Sequence, residues 1–93
     1  MAEEARLIEQ IRKFVKNSGG KVIKIHTTGV SEKGIPDLVV CIPSLPTFFV
    51  ETKSKGKKPT KLQLAKIKEI QKAGGIAFWC DNLADFINNL PIL

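Results

Sequence analysis

Two short runs of β-forming residues, joined by a proline-bounded turn, constrain this chain more than any other feature. Residues 37–42 read Asp-Leu-Val-Val-Cys-Ile and residues 47–53 read Thr-Phe-Phe-Val-Glu-Thr-Lys, with Pro43-Ser44-Leu45-Pro46 between them. Branched and aromatic side chains suit a pleated strand, and the two prolines cannot continue a ladder. The pair predicts an antiparallel hairpin. Such a hairpin lays the start of its first strand beside the end of its second, so position 37 becomes a neighbour of positions 51–53.

Periodicity supplies the remaining elements. Residues 3–18 predict a helix, because Leu7, Ile8, Ile11, Phe14 and Val15 recur at helical spacing and Gly19-Gly20 stops it. Residues 21–26 alternate lysine with apolar residues and predict a short strand; residues 27–36 predict a loop. A mobile basic loop is expected around Gly56, over residues 54–58. Pro59-Thr60 opens a second helix with Thr60 as N-cap, running to Ala73 and closed by Gly74-Gly75. Residues 76–80 form another apolar strand. Asp81 or Asn82 can cap a last helix through Leu83, Phe86, Ile87 and Leu90, ended by Pro91. The order α-β-β-β-α-β-α predicts an α/β domain with a mixed sheet flanked by helices. The helix between the third and fourth strands is a crossover, which makes those strands parallel neighbours. The 93 residues fit a single domain, 1–93, whose thin core favours pairing with a second copy.

Several function classes drop out at this stage. No apolar run reaches the roughly 18 residues a membrane helix needs, and the acidic N-terminus does not read as a signal peptide. A cytoplasmic protein is expected. Cys41 and Cys80 lie in apolar runs and read as buried, reduced thiols. Zinc would need more ligands than these and His26, which reads as a strand or loop residue. Fifteen Lys and Arg against nine Asp and Glu give a net charge of +6, which favours a polyanionic partner. Five of the lysines (Lys53, Lys55, Lys57, Lys58, Lys61) fall in residues 52–61, a stretch without a single acid.

Asp37, Glu51 and Lys53 break the apolar logic of the hairpin. Side chains alternate along a strand, so Glu51 and Lys53 share one face and Thr52 points to the other. The hairpin brings Asp37 to them. Two carboxylates can hold Mg²⁺ through hard oxygen ligands, and a lysine beside them can orient a water and offset developing negative charge. This arrangement suits phosphodiester cleavage, whereas an ordinary surface ion pair would account for Glu51 and Lys53 alone.

Three further stretches narrow the reading. Gly34-Ile35-Pro36-Asp37-Leu38-Val39-Val40, then Phe49-Val50-Glu51-Thr52-Lys53, then Lys58-Pro59-Thr60-Lys61-Leu62-Gln63, resemble the virus-type replication-repair nuclease (VRR-NUC) domain. The resemblance covers about residues 4 to 87 and implies a restriction-endonuclease-like, PD-(D/E)XK core. It implies that Asp37 and Glu51 are metal ligands, with the backbone carbonyl of Thr52. It also implies a catalytic Lys53, a Gln63 that positions that lysine or the water, and a glutamate on the first helix. Among the candidates Glu4 shares the stripe of Leu7, Ile8, Ile11 and Val15, whereas Glu9 and Glu3 do not. Gln63 shares a face with Leu64, Ile67 and Ile70. Where the family more often has a hydrophobic residue, this chain has Thr52.

The resulting expectation is a Mg²⁺- or Mn²⁺-dependent DNA endonuclease of phage or bacterial type, selective for DNA shape. Lys55, Lys57, Lys58 and Lys61 would grip phosphates. A symmetric homodimer resolving a branched substrate such as a Holliday junction is expected from the apolar residues Leu62, Ile92 and Leu93. The alternatives are a non-catalytic, basic nucleic-acid-binding module and, less suited to this length, a sequence-specific restriction enzyme.

Overall fold

The computed structural model describes residues 2–26 and 32–92. Its elements are α1 (Glu3–Asn17), β1 (Lys21–Lys24), β2 (Leu38–Cys41), β3 (Phe48–Thr52), α2 (Lys61–Lys72), β4 (Ala77–Cys80) and α3 (Leu83–Asn88). The expected order is the observed one. Half of the loop expected over residues 27–36, namely 27–31, lies outside the described residues, as does Leu93.

The four strands form one sheet in the order β1-β2-β3-β4. The β2–β3 hairpin is antiparallel, with Leu38 opposite Val50 and Val40 opposite Phe48. At its turn the Leu45 N–H donates to the Ile42 carbonyl at 3.1 Å, with Ser44 at φ 72°. Crossover through α2 makes β4 parallel to β3, with Glu51 opposite Trp79 and Thr52 opposite Cys80. Strand β1 closes the other edge, antiparallel to β2.

Alternation along the strands divides the sheet into two faces. Leu38, Val40, Phe48 and Val50 face α1 and α3, where Leu7, Ile8, Ile11, Val15 and Phe86 complete the core. Phe48, Phe78 and Phe86 pack with ring centroids 5.6–6.1 Å apart. The α1–β1 connection comes so close to the sheet that a Cβ on Gly20 would stand 2.2 Å from the Cys41 carbonyl oxygen. Helix α2 covers β4, burying Ile67 and donating from Gln71 Nε2 to the Ala77 carbonyl at 2.8 Å. Cys80 is fully buried and Cys41 partly so, and both are free, as their apolar surroundings predict. Burial pushes the Cys80 thiol up to about 12, which removes it as a nucleophile.

Candidate metal centre and active site

The hairpin register, carried one residue beyond Leu38 and Val50, sets Asp37 against Glu51 at the mouth of the sheet. The first turn of α1 delivers Glu4 to the same place. Glu4, Asp37 and Glu51 each present a carboxylate oxygen, and these oxygens lie within 4.8 Å of one another. Helical phase selects Glu4 among the acids of α1, and the structure brings Glu4 to the cluster. Glu9 is exposed. Glu3 turns aside and accepts a bond from the Lys55 backbone N–H at 3.1 Å.

Glu51 is the buried member, 4% exposed. Burial, then the neighbouring charge of Asp37, raise its carboxyl to about 7; Lys53 opposes this and Glu4 adds to it. Lys53 Nζ stands 3.7 Å from Glu51 Oε2, on the same face of β3. One ammonium therefore faces three carboxylates.

Gln63 reaches the site because it also caps its own helix. Thr60 Oγ1 accepts from the Gln63 N–H at 3.1 Å, and Gln63 Oε1 accepts from the Thr60 N–H at 2.9 Å. With its oxygen so committed, the amide nitrogen is left to donate to Glu51 Oε2 at 3.3 Å. Gln63 thus touches the acid, where the family resemblance implies that it positions the lysine or the water.

Thr52 departs from expectation. Strand alternation directs its side chain away from the site, yet its hydroxyl donates to Asp37 Oδ2 at 2.6 Å and its backbone N–H donates to Asp37 Oδ1 at 3.0 Å. The Asp37 backbone is held by the Ile25 N–H, which donates to its carbonyl at 2.7 Å, and its carboxylate leans across to Thr52. A hydroxyl in the fully buried row of Phe48 and Val50 is the available signal, since a buried hydroxyl requires a partner. The register carried two residues beyond Leu38 and Val50 sets Pro36 opposite Thr52. Proline has no N–H, so β2 supplies no ladder donor for the Thr52 carbonyl at that position. That oxygen keeps its acceptor capacity beside the acids.

One other expectation is corrected. The loop at 54–58, expected to be mobile, is tied down: besides the Glu3 bond, the Gly56 N–H donates to Asp81 Oδ2 and the Lys57 N–H to the Ser54 carbonyl, at 3.0 and 2.9 Å. Asp81 is thereby committed to the loop, and Asn82 is the N-cap of α3, accepting from the Asp85 N–H at 2.8 Å. Leu62 is exposed as expected, at 47%, while its Cγ packs over Gly34. Gly34 has φ 81°, and a Cβ there would lie 2.7 Å from Leu62 Cγ, so both geometry and space call for glycine. Lys55, Lys57, Lys58 and Lys61 are all exposed.

A mixed four-stranded sheet with helices on both faces, and an acid–lysine cluster at the end of its central hairpin, defines a restriction-endonuclease-like PD-(D/E)XK core. The chain belongs to the VRR-NUC domain family, whose model matches residues 2–82. A solved structure of a VRR_NUC domain is similar with a TM-score of 0.81 and 28% identity, covering 95% of this chain and 94% of that one. The protein named "Putative nuclease p44" of Acyrthosiphon pisum secondary endosymbiont phage 1 is 38% identical over 61 residues, 66% of this chain. The matched stretch spans 59% of that phage protein's length.

Proposed function

We propose that this protein is a divalent-metal-dependent DNA endonuclease. The observation that carries the reading is the convergence of Glu4, Asp37 and Glu51 within 4.8 Å, with Lys53 beside them as counter-charge. The donor set fits a hard cation: three carboxylates, one of them buried with its carboxyl raised to about 7, and the carbonyl of Thr52, opposite which Pro36 offers no N–H. Asp37, Glu51, Glu4 and that carbonyl would hold Mg²⁺ or Mn²⁺. When bound, such an ion acidifies a water and offsets charge on the phosphorane-like transition state.

The protein's own groups do the rest. Lys53 orients the attacking water and meets the negative charge gathering on the phosphate. Gln63 fixes which oxygen of Glu51 faces inward. The exposed amines of Lys55, Lys57, Lys58 and Lys61 bind phosphates on either side of the cut, without reading bases. A binding module alone would gain nothing from three acids facing a polyanion, so the cluster favours catalysis over that alternative.

With recognition carried by phosphates, selectivity falls on the shape of the DNA, and two copies cutting a branched substrate such as a four-way junction is the form proposed. The exposed apolar residues Leu62 and Ile92 support pairing. No helix among the described residues is long and apolar enough to cross a membrane.

The test incubates the protein with duplex, single-stranded, flap and four-way-junction DNA, in Mn²⁺ or EDTA. Cleavage that needs Mn²⁺ and is lost, with binding retained, in Asp37→Asn and Lys53→Ala is the expected result. Binding to every substrate with no cleavage under any condition would leave the basic-module reading. Light scattering that reports a monomer at micromolar concentration would remove the paired form and leave the rest standing.

A further inference from the structure

We infer that Thr52 is a positioning residue for the metal centre, its hydroxyl fixing the carboxylate of Asp37 and so setting how tightly the ion is held. The inference rests on the metal-dependent reading above. Backbone pairing, with the Ile25 N–H donating to the Asp37 carbonyl at 2.7 Å, places the residue but does not orient its carboxylate. Thr52 does so instead, gripping both oxygens: Oδ1 through its N–H at 3.0 Å and Oδ2 through its hydroxyl at 2.6 Å. The second is a short, charge-assisted bond of the stronger kind. Two anchors on one planar group stop it from rotating. A carboxylate offers about four lone-pair positions, so two accepted bonds leave each oxygen able to coordinate.

The location makes the hydroxyl hard to explain by packing. Thr52 is fully buried and follows Phe48 and Val50 on the face of β3 that packs against α1 and α3. Valine would fill the same volume without a polar atom. A threonine there holds a hydroxyl whose observed partner is Asp37, and no buried side-chain polar atom among the described residues lacks a partner. Groups that orient a ligand from behind typically change metal affinity by about 10–100-fold when removed. Thr52 keeps its N–H in any variant, so the lower end applies.

The experiment measures Mn²⁺ binding by calorimetry on the whole chain as wild type, Thr52→Val, Thr52→Ser and Thr52→Ala, with melting in EDTA as the control. Thr52→Val is expected to bind Mn²⁺ about tenfold more weakly while melting at or above the wild-type temperature. Thr52→Ser is expected to stay within about threefold of wild type, and Thr52→Ala to fall with valine. Serine and alanine differ by one oxygen, so that pair decides the matter even if valine disturbs the fold. Equal affinity in the serine and alanine variants would overturn the role of the hydroxyl and leave the metal site intact. Wild-type protein that takes up no Mn²⁺ would overturn the metal site itself and this inference with it.

Discussion

Replacing Glu51 by glutamine should make the metal-free protein more stable at neutral pH. Glu51 is 4% exposed, and its carboxyl rises from 4.5 to about 7 because burial and then Asp37 disfavour its charged form. Between those two values the folded chain holds a proton that the unfolded chain has lost. Stability therefore falls as pH rises through this window, and the full deficit is present above about 7. At about 1.4 kcal/mol for each tenfold change in proton affinity, the deficit is about 3 kcal/mol. Glutamine removes the charge but keeps an oxygen that can accept from Gln63. The attraction of Lys53, 3.7 Å away, is already contained in that value, since it lowers the carboxyl against burial and Asp37. A net gain of about 1–3 kcal/mol remains, which for a chain this size is roughly 5–15 °C in melting temperature. The assay is thermal melting of wild type and Glu51→Gln in EDTA at pH 5 and pH 8. The variant should melt well above wild type at pH 8, and the gap should shrink at pH 5. Millimolar Mn²⁺ at pH 8 should raise the wild type and leave the variant where it was. A gap of the same size at both pH values, or a variant less stable at pH 8, would refute the argument that burial of this acid strains the fold.

Other outcomes follow from individual side chains. Gly20→Ala should lower stability by about 2–3 kcal/mol in chemical denaturation, since its Cβ would meet the Cys41 carbonyl at 2.2 Å and Val15 Cγ1 at 2.9 Å. Thr60→Ala should cost about 1 kcal/mol as a lost cap and, by freeing Gln63, should also weaken Mn²⁺ binding; melting and calorimetry read the two effects separately. Changing Lys55, Lys57, Lys58 and Lys61 to alanine together should weaken DNA binding and flatten its salt dependence by about 0.9 in log–log slope for each phosphate that is no longer neutralised. Fluorescence anisotropy across a salt series measures this, and an unchanged slope would place the DNA elsewhere.

How much of the site is legible in the sequence depends on whether a regular period governs the residue concerned. Strand alternation places Glu51 and Lys53 on one face, and helical phase selects Glu4 over Glu3 and Glu9. The hairpin predicts the approach of Asp37 because two prolines bound its turn. Thr52 escapes the same logic: alternation directs its own side chain, but the carboxylate of Asp37, just before the strand, leans across to meet the hydroxyl. The anchoring of the lysine loop is invisible for another reason. Its carboxylate partners, Glu3 and Asp81, lie 52 and 25 residues away along the chain, and nothing local marks them as loop anchors. Nor can sequence say that β1 adds to the β2 edge, since four residues with one buried side chain carry little pairing information.

The first turn of α1 ties these pieces together. Acids are favoured at a helix N-terminus because the aligned peptide dipoles leave it partly positive. Glu3 and Glu4 both profit from this, yet their side chains diverge by the helical turn between consecutive residues. Glu3 holds the backbone of the lysine loop at Lys55, while Glu4 joins Asp37 and Glu51. The position of the loop lysines relative to the acids is thereby set by one helix end, and from the other side by Asp81, which follows β4 and holds Gly56. Without these anchors the loop would carry its lysines on a flexible glycine hinge, and their charges would average over many positions. Fixed at both points, it presents those charges in one arrangement, which in the proposed nuclease is the condition for a phosphate held by the lysines to lie where the carboxylates and Lys53 act on it.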